Sequence, residues 1–339
     1  MGGTLAFPMI GNDHFTQRSL PRYPDYCTLC SMVKAVLSFL LWLVGIMPLA
    51  MVRGLGRLVG FIFGNVMRHH RDDALEALER SIPELSAEER KKTVNRMYLL
   101  QGIHFMEFMW YSLKGIGRVK QVVEIEGREH AEEAFERGRG LIALTAHIGC
   151  FELMPMATAA QGYKLSTIVK QIKNDAVNEV VEKLRTHEGL TFLSTRHAYR
   201  DCLKALRRNE AVGMIIDQNM VRSSGIFVDF FGKPACTSPG LAFMAAQSQA
   251  PVVPVFIYRK PDGTFLLKVH PLMEPPPDRE AESVRAATQA YNDKIEEAVR
   301  EAPEQWIWMH RRWNTKPLEG QDVTRRERKR ARQVRPGVS

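Results

Sequence analysis

The sequence has few cysteines and a deficit of acid. The five cysteines, at 27, 30, 150, 202 and 236, are odd in number and widely spread, which offers no disulfide framework and fits a reducing compartment. Cys27-Thr28-Leu29-Cys30 has no second pair and no histidine cluster beside it, so neither a zinc site nor a redox couple is expected. There is no His-Glu-x-x-His motif, no internal repeat and no clean small-residue cleavage site after the apolar N-terminal run. These absences set aside a helix-borne metal pair, a solenoid and a removed signal peptide. Asp and Glu total 38 against 47 Lys and Arg, a formal charge of +9 with a pI near 9.4. Such a balance favours an anionic partner: nucleic acid, phospholipid headgroups or an acidic carrier protein.

What is present is ordinary globular material with one exception. The 339 residues are 45% hydrophobic and 25% charged, enough for one large domain or two. Residues 35–52, AVLSFLLWLVGIMPLAMV, carry no charge and lie between Lys34 and Arg53. As a helix they would measure about 27 Å, against roughly 30 Å of bilayer hydrocarbon. A retained membrane anchor over 32–55 is expected, while Pro48 and the short length leave a buried core helix as the other reading. Basic residues flank both ends, with a slight lean toward a cytosolic body. Residues 1–31 read as a disordered leader and 319–339 as a basic tail, solvated or in contact with anionic lipid.

Within residues 56–318 the texture changes once. Residues 56–118 have helical apolar spacing, with Ser86-Ala87-Glu88-Glu89 as a capping box. His104 and Glu107 on the second of these helices read as packing or rim residues. From 119 to 275, β-type runs at 122–125, 141–145, 165–169, 191–193, 212–216, 252–258 and 265–269 alternate with helical patterns at 129–137, 174–187, 199–208 and 241–249. The alternation predicts an α/β layered core with both sheet faces covered. Lys260-Pro261-Asp262-Gly263 predicts a hairpin between the last two strands, and 276–318 closes with helices.

One stretch carries chemistry. HIGCFE, 147–152, follows the apolar run 141–146. His147 and Glu152 lie about 140° apart on a helix, so they can meet only if the chain bends between them, with His147 capping a strand and a helix starting near Phe151. Glu152 would then orient one imidazole nitrogen while the other takes a proton from a hydroxyl. Gly149 permits the turn, and the carboxyl end of a sheet strand is where open α/β sheets hold ligands. The competing reading is a hydrogen-bonded core histidine. Cys150 has apolar neighbours that would raise its thiol pKa, which argues against covalent catalysis. Asp217 and Gln218 end another buried-type strand and are either site residues or a turn.

The strand followed by His-x4-Glu resembles the signature of the lysophospholipid acyltransferase superfamily, and the wider pattern resembles its lipid A biosynthesis lauroyl/myristoyl acyltransferase branch. The blocks GLIALTAHIG (140–149), KQIKN (170–174), GMIIDQN (213–219), VDFFGKPA (228–235), APVVPVF (250–256) and EQWIWMHRRW (304–313) occur in the family's order. The resemblance implies a mixed sheet flanked by helices behind an N-terminal membrane anchor, at the bacterial inner membrane with the catalytic domain on the cytoplasmic face. It implies transfer of a fatty acyl chain from acyl carrier protein to a hydroxyl of a lipid A precursor, with no metal, no bound cofactor and no nucleic acid partner. His147 would be the general base and Glu152 its orienting carboxylate. Lys170, where relatives have Arg, would meet the acceptor's phosphate or the reaction centre. Asp217, Gln218, Phe230, Phe231, Gly232 and Lys233 would bind substrate, Phe230 to Gly232 as a channel wall unless they are plain core. Arg311 and Arg312 would dock the carrier unless they form a solvated rim. Another membrane lipid as acceptor, such as a glycolipid, an ornithine lipid or a lysophospholipid, is the alternative. The Phe-Pro-Glu-Gly-Thr stretch of the glycerol phosphate branch is missing.

Overall fold

The computed structural model describes residues 24–169, 172–194 and 198–318. Lys170, the leader through residue 23, the tail from 319 and the side chains of Cys27 and Cys30 lie outside the described residues. The nine strands among them are β1 (Val123–Glu126), β2 (Leu141–Thr145), β3 (Leu165–Val169), β4 (Leu190–Ser194), β5 (Ala211–Ile215), β6 (Ile226–Phe230), β7 (Lys233–Thr237), β8 (Val252–Arg259) and β9 (Phe265–Val269). Seven form one sheet in the order β1-β9-β8-β2-β5-β3-β4. It is parallel except where β9 returns antiparallel beside β8, the expected hairpin. The strands β6 and β7 make a separate antiparallel hairpin. Its turn, Phe231-Gly232, holds both residues at positive φ, 52° and 72°, as a two-residue hairpin turn requires.

Helices cover both faces. The first five are α1 (Pro24–Ile46), α2 (Leu49–Phe61), α3 (Arg71–Ser81), α4 (Ala87–Lys114) and α5 (Ile116–Lys120). Woven between the strands are α6 (Arg128–Glu136), α7 (Met154–Ala159), α8 (Asp175–Arg185), α9 (Ala198–Arg207), α10 (Gly240–Ser248) and α11 (Ala281–Glu301). The central strand β2 is buried at every residue: Ile142 and Leu144 enter one core layer with Phe230, Phe256 and Trp306, while Leu141 and Ala143 enter the other with Met154, Val253 and Val255. This two-sided burial is why the strand reads as an unbroken apolar run. Ser86 caps α4 as its sequence predicts: its Oγ accepts from the Glu89 amide at 3.2 Å, and the Glu89 carboxylate accepts from the Ser86 amide at 2.8 Å.

The apolar N-terminal segment departs from expectation. Instead of one helix over 35–52, the chain breaks at Met47-Pro48, because proline has no N–H to continue α1 and starts α2 instead. Among the described residues, the helix long and apolar enough to cross a membrane is Leu49–Val66, of mean hydropathy 1.3, formed by α2 and the π-turn after it. Gly56, Gly60 and Gly64, four residues apart, face Tyr98, Gly102 and Ile103 of α4 so closely that a methyl on Gly56 would sit 2.6 Å from the Ile103 Cα. Backbone contact through small residues at this spacing is how helices pair in membranes. The opposite side is bare: Phe39, Trp42, Met51, Leu58 and Val66 are each at least half exposed, as is Phe105 of α4. An apolar surface of this extent marks a membrane or partner contact.

Where α2 meets the sheet, Glu107 is fully buried and its carboxylate receives Arg53 Nε at 2.6 Å and the guanidinium of Arg259 from β8. Glu107 and His104 are therefore interior residues, as the packing reading had it. Removing one partner of a buried ion pair typically costs about 3–5 kcal/mol. Glu107→Ala, which leaves Arg259 buried without its anion, is expected to lose stability on that order, read as a lower denaturant midpoint in detergent.

Candidate active site

Strand register builds the site. In the parallel pair β2 and β5, Leu141 lies opposite Ala211 and Thr145 opposite Ile215. The same separation of 70 residues divides His147 from Asp217, so extending both strands by two residues sets those side chains face to face. Asp217 is 1% exposed. Its carboxylate accepts three N–H groups: His147 Nδ1 at 2.7 Å, the His147 backbone at 2.9 Å and Trp306 Nε1 at 2.8 Å. Trp306 is placed by the loop after β2, since Ile148 pairs with it as an isolated bridge and the Gly149 amide donates to Gln305 at 2.9 Å. Gly149 sits at φ 58°, where a Cβ would overlap the Ile257 carbonyl, so the turn demands glycine.

The electrostatics follow from burial against charge. Burial works against the imidazolium of His147, but the charge and hydrogen bond of Asp217, with a smaller contribution from the charge of Glu152, outweigh it and raise its pKa above the ordinary value of 6.5. Burial likewise opposes the Asp217 carboxylate, and the imidazole with its hydrogen bonds holds that pKa well below the usual range. With Nδ1–H donated to Asp217, the lone pair of His147 Nε2 points away from the core. The Gln218 amide nitrogen lies 3.1 Å from it and 3.3 Å from His310 Nε2. The His310 and Phe151 rings stand edge-on to His147 at 5.3 and 4.7 Å.

The structure corrects the carboxylate assignment. Glu152, in the short turn Phe151–Leu153, points to Arg185 at the end of α8, with bonds of 2.7 and 3.2 Å. Its carboxylate is taken by that guanidinium, and Asp217 occupies His147 Nδ1 instead. Cys150 is buried, and burial pushes its thiol pKa well above the usual range, in keeping with its exclusion as a nucleophile.

Of the other expected substrate contacts, Gln218 lies at the site and Lys233 lines an open groove that also contains His310, Arg311 and Asp73. Phe230 and Phe231 are core residues, the other reading of that pair. They are buried against Trp306, Trp313 and Trp308, and the Phe231 and Asp229 amides donate to Glu296 and Gln289 of α11. Gly232 completes their turn. An apolar cavity lies on the other sheet face, lined by Leu141, Ala143, Met154, Val253 and Val255. Met154 there accepts a hydrogen bond from Thr145, two residues before His147.

Arg312 is also corrected, being fully buried rather than on a docking rim. It donates to the carbonyls of Gln218 and Cys236 at 3.2 and 2.9 Å and to Thr237 Oγ1 at 2.5 Å. Arg311 is exposed and paired with Asp73 at 3.0 Å. Sequence reasoning gave no role to His310, Arg185 or Trp306. The only signal for His310 and Trp306 was their place in a tryptophan-rich block.

Residues 22–315 match the family model described as bacterial lipid A biosynthesis acyltransferase. The chain is 29% identical over 283 residues to the lipid A biosynthesis lauroyltransferase of Escherichia coli (strain K12), covering 82% of this chain and 90% of that one. It is 24% identical over 286 residues to a lipid A biosynthesis acyltransferase of Haemophilus influenzae, covering 84% and 88%. A phosphatidylinositol mannoside acyltransferase of Mycolicibacterium smegmatis is 22% identical over 58% of this chain and 64% of its own. The crystal structure of a 1-acyl-sn-glycerophosphate acyltransferase from Thermotoga maritima is 18% identical, with a TM-score of 0.37 over 77% of this chain and 100% of that one.

Proposed function

The chain belongs to the bacterial lipid A biosynthesis acyltransferase family, and from that premise we propose that it moves a fatty acyl chain from acyl carrier protein to a hydroxyl of a lipid A precursor at the inner membrane. It is an acyltransferase, and acyl transfer to a membrane lipid is the common activity of the family and of the related enzymes it matches. The observation that carries the finer reading is the His147–Asp217 pair, an imidazole with Nδ1 bonded to a buried carboxylate and Nε2 turned outward.

Asp217 fixes the tautomer that leaves Nε2 free to accept. The lipid hydroxyl gives its proton to Nε2 as its oxygen bonds to the thioester carbonyl carbon. The C–S bond then breaks, and the imidazolium returns the proton to the departing thiolate. The thioester is already activated, so a base, a donor for the oxyanion and alignment of two apolar substrates suffice. Glu152, clamped by Arg185, adds fixed negative charge toward the imidazolium. The exposed apolar side of α1 and α2 immerses in the cytoplasmic leaflet and brings the site to its lipid. The positive charge of the chain favours an acidic carrier.

Lipid A from a strain lacking this protein is expected to lose the mass of one acyl group, and purified protein with acyl carrier protein thioester to restore it. The match to phosphatidylinositol mannoside acyltransferases supports a second reading, a different glycolipid acceptor. Unchanged lipid A alongside a shortened glycolipid would select it.

A further inference from the structure

The Gln218 side chain stands between two imidazoles. Its amide nitrogen is 3.1 Å from His147 Nε2 and 3.3 Å from His310 Nε2. Only the amide nitrogen has two hydrogens to give, so it can donate to both rings at once, provided both Nε2 atoms are unprotonated. The neutral rings supply that acceptor: Asp217 takes the Nδ1 hydrogen of His147, which leaves its Nε2 bare, and burial, with the charge of a protonated His147, holds the His310 pKa below its ordinary value. The backbone of Gln218 is held separately, its carbonyl accepting from the buried Arg312. Residues 310 and 312 thus grip one residue from two sides.

This arrangement has a chemical consequence. In the resting site Gln218 occupies the lone pair that His147 must offer to the lipid hydroxyl. An incoming hydroxyl displaces one Gln218 N–H from His147, while the bond to His310 keeps the amide from swinging away. The freed hydrogen then lies beside the reacting carbonyl, where negative charge develops on oxygen as the hydroxyl attacks. We propose that Gln218 is the oxyanion donor of the transfer and that His310 is the residue that positions it. The proposal rests on His147 being the base. Gln218 is a catalytic residue in this scheme, touching the carbonyl oxygen, and His310 acts only through it. No bond to His310 forms or breaks.

The test uses the full chain, an acyl carrier protein thioester and the lipid acceptor in detergent micelles. Gln218→Ala is expected to lower kcat by about 10²- to 10³-fold, as loss of one oxyanion donor does, with KM for both substrates little changed. Gln218→Glu, which replaces the donor by an acceptor, is expected to be at least as slow. His310→Leu is expected to lower kcat by about 10²-fold, the scale of a misplaced catalytic group. His310→Gln, which keeps an acceptor at that place, should recover most of that loss.

The double variant should be no slower than Gln218→Ala alone, because His310 has nothing left to position. A purely structural histidine would instead add its loss to that of Gln218→Ala. Losses that multiply, a His310→Gln variant as slow as His310→Leu, or a change in KM with kcat intact would each overturn the proposal. Gln218 is exposed, so its variants decide the donor role even if His310→Leu does not fold. Wild-type kcat in Gln218→Glu beside an inactive His147→Ala would refute this inference alone, whereas full activity in His147→Ala would remove the reading beneath it.

Discussion

Replacing His147 by alanine is expected to slow acyl transfer by about 10²- to 10⁴-fold, the share a general base commonly supplies, while the protein stays on the membrane fraction. The two readouts separate because the parts are separate: the base is at the carboxyl edge of β2 and β5, and the bare apolar surface belongs to α1, α2 and one side of α4. Activity is measured as transfer of labelled acyl chain into extractable lipid, and attachment as the fraction sedimenting with vesicles. Wild-type turnover in this variant would remove His147 from the mechanism.

Asp217→Asn is expected to be equally damaging, on the order of 10⁴-fold in kcat, the loss seen when the orienting carboxylate of a Ser-His-Asp triad becomes an amide. The carboxylate accepts three N–H groups at once. An amide can present one oxygen, and its NH2 group must face either Trp306 or His147. If it faces the imidazole, the proton moves to Nε2 and the base is blocked. The variant also leaves the buried Arg312 without the nearby carboxylate charge that supports its ionisation against burial.

The pH dependence has a definite sign. His147 must be neutral to act, and its pKa is raised above 6.5. The wild-type rate therefore falls as pH drops through a value above that of an ordinary histidine. In Asp217→Asn the raising charge is gone and burial remains, so the acid limb of the residual activity should move to lower pH. An acid limb that stays in place, or moves upward, would mean that Asp217 does not set this pKa.

Much of the scaffold was legible along the chain because its signals are local. The runs at 141–145, 165–169 and 265–269 coincide with β2, β3 and β9, the Ser86 capping box closes as read, and the Lys-Pro-Asp-Gly turn at 260–263 joins two antiparallel strands. The strands β6 and β7 were not foreseen, since Phe227, Phe230 and Cys236 alternate with Asp229, Lys233 and Pro234 too weakly to show a period of two. The break at Pro48 was written in the residue itself. The small-residue seam at Gly56, Gly60 and Gly64 has meaning only once α4 lies against it.

By itself the sequence determined the class of fold, the histidine at the end of an apolar strand, the family pattern around it, the net positive charge and the apolar run near the N-terminus. Only the tertiary structure decided which carboxylate serves that histidine. Glu152 is near in sequence and turns to Arg185; Asp217 is 70 residues away and bonds the ring. The physical reason is strand register: hydrogen bonding between β2 and β5 decides which residues stand opposite each other, and neither periodicity nor spacing along one strand specifies the alignment of its neighbour. The same holds for Gln218, His310 and Arg312, which meet only where the last loop folds back across the sheet edge.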